Sequence, residues 1–314
     1  MTVFNDLARW LWRLLPANPI LVRVVSAGGK RIRHLWVRVV YLVVLFVVML
    51  VGSSSMIGGS SDSLADLAKQ STNTFMYVSL VQLFLMSFIA PVFTAAAITQ
   101  EKDANTFHIL LTTPLTNGQI VLGSLFSRLF FVWVLLLAGL PIFCITMLYG
   151  GVTTAEVFQS FGLAACTGLV TGALAISISV VRIGTRRTIF SFFLGVAVYI
   201  LAIGVYGLSP YGALTEASLA AGGTWKMSWL APIHPFLALL VVTGQTPAPP
   251  LSHVAHYGWP WGWLLANPQH GYMLIATLAS VAMIMISLFF VRRSAKEGEQ
   301  TWDRSIRNFK KNHR

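Results

Sequence analysis

The sequence predicts an all-α integral membrane protein with six transmembrane helices, and three observations support this. The 314 residues are 56% hydrophobic and 10% charged, with a mean hydropathy of +0.72. A soluble domain carries about 25% charged residues, because it needs them to cover its surface. Six apolar stretches are long enough to cross a bilayer. The basic residues between these stretches alternate from side to side as a six-span topology requires.

The six apolar stretches carry no charge near their centres, and they are 17 to 28 residues long. A spanning helix needs roughly 20 residues. The predicted spans are Leu35–Val51, Phe75–Thr99, Leu122–Tyr149, Phe158–Val181, Ile189–Leu208 and Tyr272–Val291. Residues 35–291 therefore form the predicted transmembrane domain. A cytoplasmic arm of residues 1–34 precedes it, and a basic tail of residues 292–314 follows it.

The placement of basic residues predicts the orientation. Twenty of the 22 Lys and Arg residues fall on one side of the predicted membrane, and only Lys69 and Lys226 fall on the other. Because cytoplasmic loops carry the excess of Lys and Arg, both termini are predicted to be cytoplasmic. This placement explains the net charge of +12. Nucleic-acid binding is not predicted, because the sequence has no stripe of basic residues interleaved with aromatic ones.

Both termini have amphipathic helical patterns. Leu7, Trp10, Leu11 and Leu14 recur at helical spacing in the arm, and Trp302, Ile306 and Phe309 do so among the basic residues of the tail. Such a pattern is typical of a helix that lies in the membrane interface. Contact with membrane lipid and docking of a cytoplasmic partner are both consistent with it.

The predicted outer loops differ in composition. Gly52–Asn73 is rich in Ser and Gly and is predicted to be flexible, and Gly150–Glu156 is predicted to be a tight connection. The loop of residues 209–271 contains many Trp and Pro residues. Because Trp favours the membrane interface and Pro breaks the apolar stretches, we predict re-entrant or interfacial helices in this loop.

The loop of residues 100–120 falls on the predicted cytoplasmic side. Its sequence predicts a short helix between spans two and three. Phe107, Leu110 and Leu111 share one face of that helix. It ends at Pro114, because proline disfavours the helical conformation in the residue before it. A short helix held between two spans can convert an external push into helix motion.

This loop resembles the corresponding segment of the ABC-2 type permeases, which reads roughly I-x-x-E-[KR]-[ED]-x-G-T-x-E-x-L-L-x-[TS]-P-[LV]-[ST]. The matching positions are Ile98, Glu101, Lys102, Asp103, Thr106, Leu110, Leu111, Thr113, Pro114, Leu115 and Thr116. Asn18-Pro19-Ile20-Leu21 is similar to a motif often found before the first span of the family. Two positions depart from the pattern: Asn105 replaces a glycine, and His108 replaces a glutamate.

The resemblance implies that the segment is a coupling helix, seated on a separate ATP-binding subunit that binds ATP and Mg²⁺. The residues that would form this contact are Glu101, Lys102, Asp103, Thr106, Phe107, Leu110, Leu111 and Pro114. The charges at 101–103 could instead simply solvate the end of a helix. The resemblance also implies a multi-pass protein of the bacterial inner membrane, with a second permease copy or a paralogue as partner.

No catalytic residues are predicted, and no cofactor is predicted for this chain itself. Ala27–Arg31 does not fit the Walker A pattern, and no serine lies in a G-x-S-x-G elbow. The spans carry no paired carboxylates and no ionisable relay. His253 and His256 are spaced for metal binding, but no cysteine or acidic cluster accompanies them, so we predict no metal site.

Two functional hypotheses follow. In the first, the chain is an exporter permease whose hydroxyl-rich faces line a pathway: Ser79, Gln82 and Ser87 on span two, with Thr167, Thr171 and Ser177 on span four. In the second, the chain transmits motion to a periplasmic partner and moves nothing through itself. Gly168 and Gly172 form a Gly-x-x-x-Gly face on span four, which favours close helix packing within or between chains.

Overall fold

The computed structural model describes residues 32–58, 63–103, 117–148, 150–181, 185–214 and 226–312. The predicted arm lies outside these residues, apart from its last three positions. The helices are α1 (Ile32–Gly58), α2 (Leu64–Asp103), α3 (Asn117–Ala138), α4 (Leu140–Met147), α5 (Thr154–Val181), α6 (Thr185–Leu208), α7 (Pro235–Val242), α8 (Leu251–Val254), α9 (Trp261–Ala266) and α10 (Pro268–Asn312). Two 3₁₀ turns, Pro210–Gly212 and Ala255–Tyr257, lie between α6 and α9.

The structure confirms the all-α membrane fold. Among the described residues, six helical segments are long and apolar enough to cross a membrane: His34–Ser54, Leu64–Ala95, Val121–Leu148, Thr154–Ser179, Phe190–Leu208 and Pro268–Phe290. Each of them overlaps one predicted span. The third segment consists of α3 and α4, and the sixth is the first half of α10.

The third span is interrupted at Gly139, where the sequence predicts one continuous helix. Pro141 has no N–H to donate to the preceding turn, and the backbone closes tighter bonds from Gly139 N to Leu136 O (3.1 Å) and from Ile142 N to Gly139 O (3.0 Å). Gly139 also allows a close approach, since a Cβ there would lie 2.9 Å from the Tyr41 hydroxyl.

The predicted flexible segment Gly52–Asn73 is helical over most of its described length, so that prediction is wrong there. α2 begins at Leu64, because the Ser63 hydroxyl accepts a hydrogen bond from Asp66 N at 3.2 Å and caps the helix. The first turns of α2 are also held by tertiary contacts. Thr72 Oγ1 donates to the Gly151 carbonyl at 2.9 Å.

The connection between α4 and α5 is as tight as the sequence predicts. Gly150 and Gly151 both have φ of 78°, a conformation that favours glycine. A Cβ at Gly151 would also collide with the Ala68 carbonyl. Thr153 and Glu156 then form a capping box for α5: Glu156 Oε2 accepts from Thr153 N at 2.9 Å, and Thr153 Oγ1 accepts from Glu156 N at 3.3 Å.

α2 and α5 form the centre of the bundle. α2 packs against α1, α3, α4, α5, α6 and α7, and α5 packs against α2, α3, α6, α7 and α10. Their shared seam runs in parallel register. A Cβ at Gly168 would lie 3.6 Å from Ala90 Cβ, and a Cβ at Gly172 would lie 3.2 Å from Thr94 Cγ2 and from Leu129 Cδ2. Within the chain, the Gly-x-x-x-Gly face therefore packs against α2 and α3.

The loop of residues 209–271 contributes α7 to the interior of the bundle. Ala238, Leu239 and Val242 of α7 belong to the main hydrophobic core, and α7 packs against α2, α5, α6 and α10. The rest of the described loop is more exposed. The solvent-exposed fraction of Trp259 is 90%, and that of Trp261 is 48%. We call the end of the bundle that carries this loop the long-loop end, and the opposite end the tail end.

Replacing Gly172 by leucine is expected to lower the free energy of unfolding by about 1–3 kcal/mol, because the new side chain overfills a tight seam. Gly195→Leu is the matched control, since a Cβ at Gly195 meets open space. Thermal unfolding of the purified protein in detergent measures both variants. Equal stability of the two variants would contradict the tight packing of α5 against α2 and α3 at Gly172.

Candidate functional site

On α2, the predicted polar face is buried inside the bundle. Ser79, Gln82 and Ser87 are all at most 1% exposed. The Ser87 hydroxyl donates to the Leu83 carbonyl of the preceding turn at 2.8 Å. The Ser79 hydroxyl and both polar atoms of the Gln82 amide have no hydrogen-bond partner among the described residues. An unpartnered amide at membrane depth is costly.

On α5, each predicted hydroxyl donates to a carbonyl of the preceding turn. Thr167 Oγ1 bonds Leu163 O at 2.7 Å, Thr171 Oγ1 bonds Thr167 O at 2.8 Å, and Ser177 Oγ bonds Ala173 O at 2.8 Å. Such bonds satisfy the hydroxyls without any ligand.

Two of these hydroxyls also connect α5 to α10. Thr167 Oγ1 lies 2.9 Å from the Tyr272 hydroxyl, which is buried. Nearer the tail end, Ser177 Oγ lies 2.8 Å from Ser287 Oγ and 3.1 Å from the Met283 carbonyl. In a membrane domain, interhelical bonds of this type contribute about 0.6 kcal/mol each on average. They fix the register of α10 on α5.

A crevice of about 370 Å³ lies between α6 and α10, with α5 as its floor. Three of the six predicted pathway residues line it, namely Ser87, Thr167 and Thr171. Ser79, Gln82 and Ser177 are not part of its lining. The structure thus brings half of the predicted face to one cavity. It leaves Ser79 and Gln82 in the packed interior and Ser177 partly buried against α10.

The crevice contains residues that the sequence reasoning did not select. Tyr199 on α6 and Tyr272 on α10 place their rings in the lining, and Gly195 leaves space in the wall. The predicted pathway face consists of hydroxyl and amide side chains and contains no tyrosine. Each tyrosine stands out in the sequence as a polar aromatic residue within a mostly aliphatic span, and that feature could have identified both.

The long-loop end of the crevice is closed by the segment that leads into α7. Ile233 and Pro235 line the cavity, and the Tyr199 hydroxyl donates to the Ile233 carbonyl at 2.7 Å. Burial lowers the pKa of His234 to about 4. The imidazole is therefore neutral at pH 7, and it packs against the rings of Tyr199 and Phe236.

The predicted coupling residues fall at and beyond the end of α2. Glu101, Lys102 and Asp103 belong to the last turn of that helix, although their side chains lie outside the described part. Thr106, Phe107, Leu110, Leu111 and Pro114 lie outside the described residues altogether. Their role stays a prediction.

Among the residues that the structure describes, the outer-loop histidines do not converge with other metal-binding side chains. Within the described ranges, no three His, Cys, Asp or Glu side chains lie close enough to hold a metal ion. His256 Nδ1 lies 2.9 Å from the His253 carbonyl oxygen, so this ring interacts with its own turn.

Comparison with known proteins adds two findings. The family described as "ABC-2 family transporter protein" matches residues 29–293. The chain is also 30% identical over 251 residues to the "Probable ABC transporter permease protein NosY" of Stutzerimonas stutzeri, an alignment that covers 78% of this chain and 76% of that protein.

Replacing Gln82 by methionine is expected to raise the free energy of unfolding by about 1–2 kcal/mol, because it removes two buried polar atoms that lack partners. The Ser87→Ala variant is the control and should change stability little, since the lost hydroxyl bond is local. Thermal unfolding in detergent measures both. A clear loss of stability in the methionine variant would mean that the amide is satisfied in the folded protein.

Proposed function

Because the chain belongs to the ABC-2 family of transporter proteins, whose members of this type are the permease subunits of ABC transporters, we propose that it is the permease of an ATP-driven exporter. A separate ATP-binding subunit hydrolyses ATP with Mg²⁺. The permease converts that work into alternating inward and outward access by rigid-body motion of its spans.

The continuity of α2 is the observation that carries this proposal. The helix runs unbroken for 40 residues, from Leu64 to Asp103, a length of about 60 Å at 1.5 Å per residue. Its last turn holds Glu101, Lys102 and Asp103, and its body packs against five other membrane-embedded helices and α7. A push on the last turn would therefore act on the whole bundle.

The proposed complex contains a second permease, either another copy of this chain or a paralogue. Both are consistent with the exposed aliphatic faces of α1 and α6, on which Val43, Val47, Leu201 and Val205 are about half exposed or more. The excess of basic residues on the tail side supports an inner-membrane location with cytoplasmic termini.

For the export pathway, we propose the α2–α5 face that contains Ser79, Gln82, Ser87, Thr167, Thr171 and Ser177. Gln82 supports this proposal best, since its unpartnered amide would gain a partner if the face opened to water or cargo. The pathway would form as neighbouring helices move away from the seam between α2 and α5.

A mechanical role without conduction is the second candidate. It is favoured by the self-satisfied hydroxyls of α5, which offer a polar cargo little to bind. The exposed aromatic residues at the long-loop end, such as Trp259, would then contact a periplasmic partner. Replacing residues 251–260 by a short polar linker tests this role. It should abolish capture of that partner without affecting assembly with the ATPase, and α7 would be left intact.

The Glu101→Arg variant reverses the charge of a residue that is proposed to contact the ATP-binding subunit. We expect it to weaken binding of that subunit by about tenfold, or about 1.4 kcal/mol, because a favourable charge contact becomes repulsive. Stimulated ATP turnover and transport by the complex should fall in parallel. Lys69→Glu is the matched control, since it reverses a charge at the exposed start of the same helix.

Affinity is measured by titrating the purified ATP-binding subunit onto permease in lipid nanodiscs, and turnover by phosphate release. If Glu101→Arg and Lys69→Glu behave alike, and both match the unmodified protein, the last turn of α2 is not the coupling contact.

A further inference from the structure

The crevice between α6 and α10 is a narrow slot in the wall of the bundle. The two helices make little contact with each other, while each packs against neighbouring helices. Val170 and Leu174 of α5 form the floor, Gly195 lies in one wall, and Ile275 and Ala279 lie in the other. These residues all belong to membrane-spanning segments. The slot is therefore at the depth of the hydrocarbon core.

The crevice offers almost no free polar group to a ligand. The hydroxyls of Ser87 and Thr171 donate to carbonyls of their own helices. Those of Thr167 and Tyr272 lie against each other, and Tyr199 donates to the Ile233 carbonyl. The remaining lining is aliphatic, so a polar ligand would lose its hydration without new hydrogen bonds. The chemistry selects an apolar occupant.

The length of the crevice matches that of a lipid chain. Its lining on α10 runs from Tyr272 to Met283, which is about 16 Å along a helix axis. Half the hydrocarbon core of a bilayer is about 15 Å thick. The crevice therefore spans about the depth that one acyl chain occupies in its leaflet.

The geometry favours a slender occupant. The crevice, of about 370 Å³, lies between α6 and α10 and reaches down to α5. Gly195 widens it locally, since no atom lies within 4 Å of the position of its missing Cβ. An acyl chain can enter between the two helices and fill the space beside Gly195.

We propose that this crevice binds one acyl chain of a membrane phospholipid, which enters sideways between α6 and α10. The chain fills a cavity that the helices leave open and completes the packing of α6 onto α5. This inference concerns the membrane domain alone, and it does not depend on export or on the ATP-binding subunit.

The test uses the full chain in nanodiscs of phosphatidylethanolamine and phosphatidylglycerol, with a trace of phosphatidylethanolamine that carries a diazirine in one acyl chain. After illumination, crosslinked residues are mapped by mass spectrometry. We expect adducts concentrated on Gly195, Ile275 and Ala279. In Gly195→Trp, which fills the slot, adducts on Ile275 and Ala279 should fall by about fivefold or more, because the indole occupies the space of the chain.

Leu194→Trp is the matched control, because Leu194 precedes Gly195 and is exposed on α6 outside the crevice. It should leave the adducts unchanged. Ala279→Phe obstructs the opposite wall and provides an independent result if Gly195→Trp lowers the thermal stability. Equal labelling in the filled and control variants would overturn the proposal. So would crosslinks to a second copy of the chain in place of lipid.

Discussion

The parallel packing of α2 against α5 is the contact on which the rest of the structure depends. Gly168 and Gly172 bring the α5 backbone close to Ala90 and Thr94 of α2. Because lipid tails are as apolar as the side chains, helices in a membrane associate through such close packing rather than through hydrophobic burial. α1, α3, α6, α7 and α10 each contact α2, α5 or both. A displacement of this pair would therefore displace the surfaces on which the other helices pack.

Hydroxyl groups do not make this bundle polar, although the sequence is rich in Ser and Thr. Most buried hydroxyls, such as those of Thr171 and Ser87, donate to a carbonyl in the preceding turn. The crevice between α6 and α10, which these two residues line, therefore offers no free hydroxyl from either of them. Ser79 and Gln82 of α2 are exceptions, since their polar atoms find no partner among the described residues. The Gln82 amide is the larger of the two polar groups, because it carries both donor and acceptor atoms. It marks the place where a second arrangement of the helices would gain most.

The spans and the tight α4–α5 connection could be predicted from the sequence, because hydropathy and turn chemistry act locally. The family could be predicted because the loop that follows span two resembles the corresponding segment of the ABC-2 type permeases. The crevice could not be predicted. It depends on where Tyr272 of α10 meets Thr167 of α5, and that register is set by tertiary contacts far apart in the chain. The helical start of α2 also depends on a tertiary hydrogen bond, from Thr72 to the Gly151 carbonyl. Composition alone suggests a flexible loop there. The break at Gly139 follows from Pro141, which lacks a backbone N–H and so interrupts the helix within an otherwise continuous apolar stretch.

In the proposed function, α2 and α5 move as one body when a separate ATP-binding subunit acts. Spin labels at Leu64 and Thr154, which are exposed at the long-loop ends of these two helices, measure that directly. A second pair at Leu64 and Leu208 reports on α6 in the same complex, with and without ATP. The account predicts that the Leu64–Thr154 distance stays within about 2 Å, as rigid-body motion requires, while the Leu64–Leu208 distance changes by more. A change between Leu64 and Thr154 as large as that between Leu64 and Leu208 would contradict it.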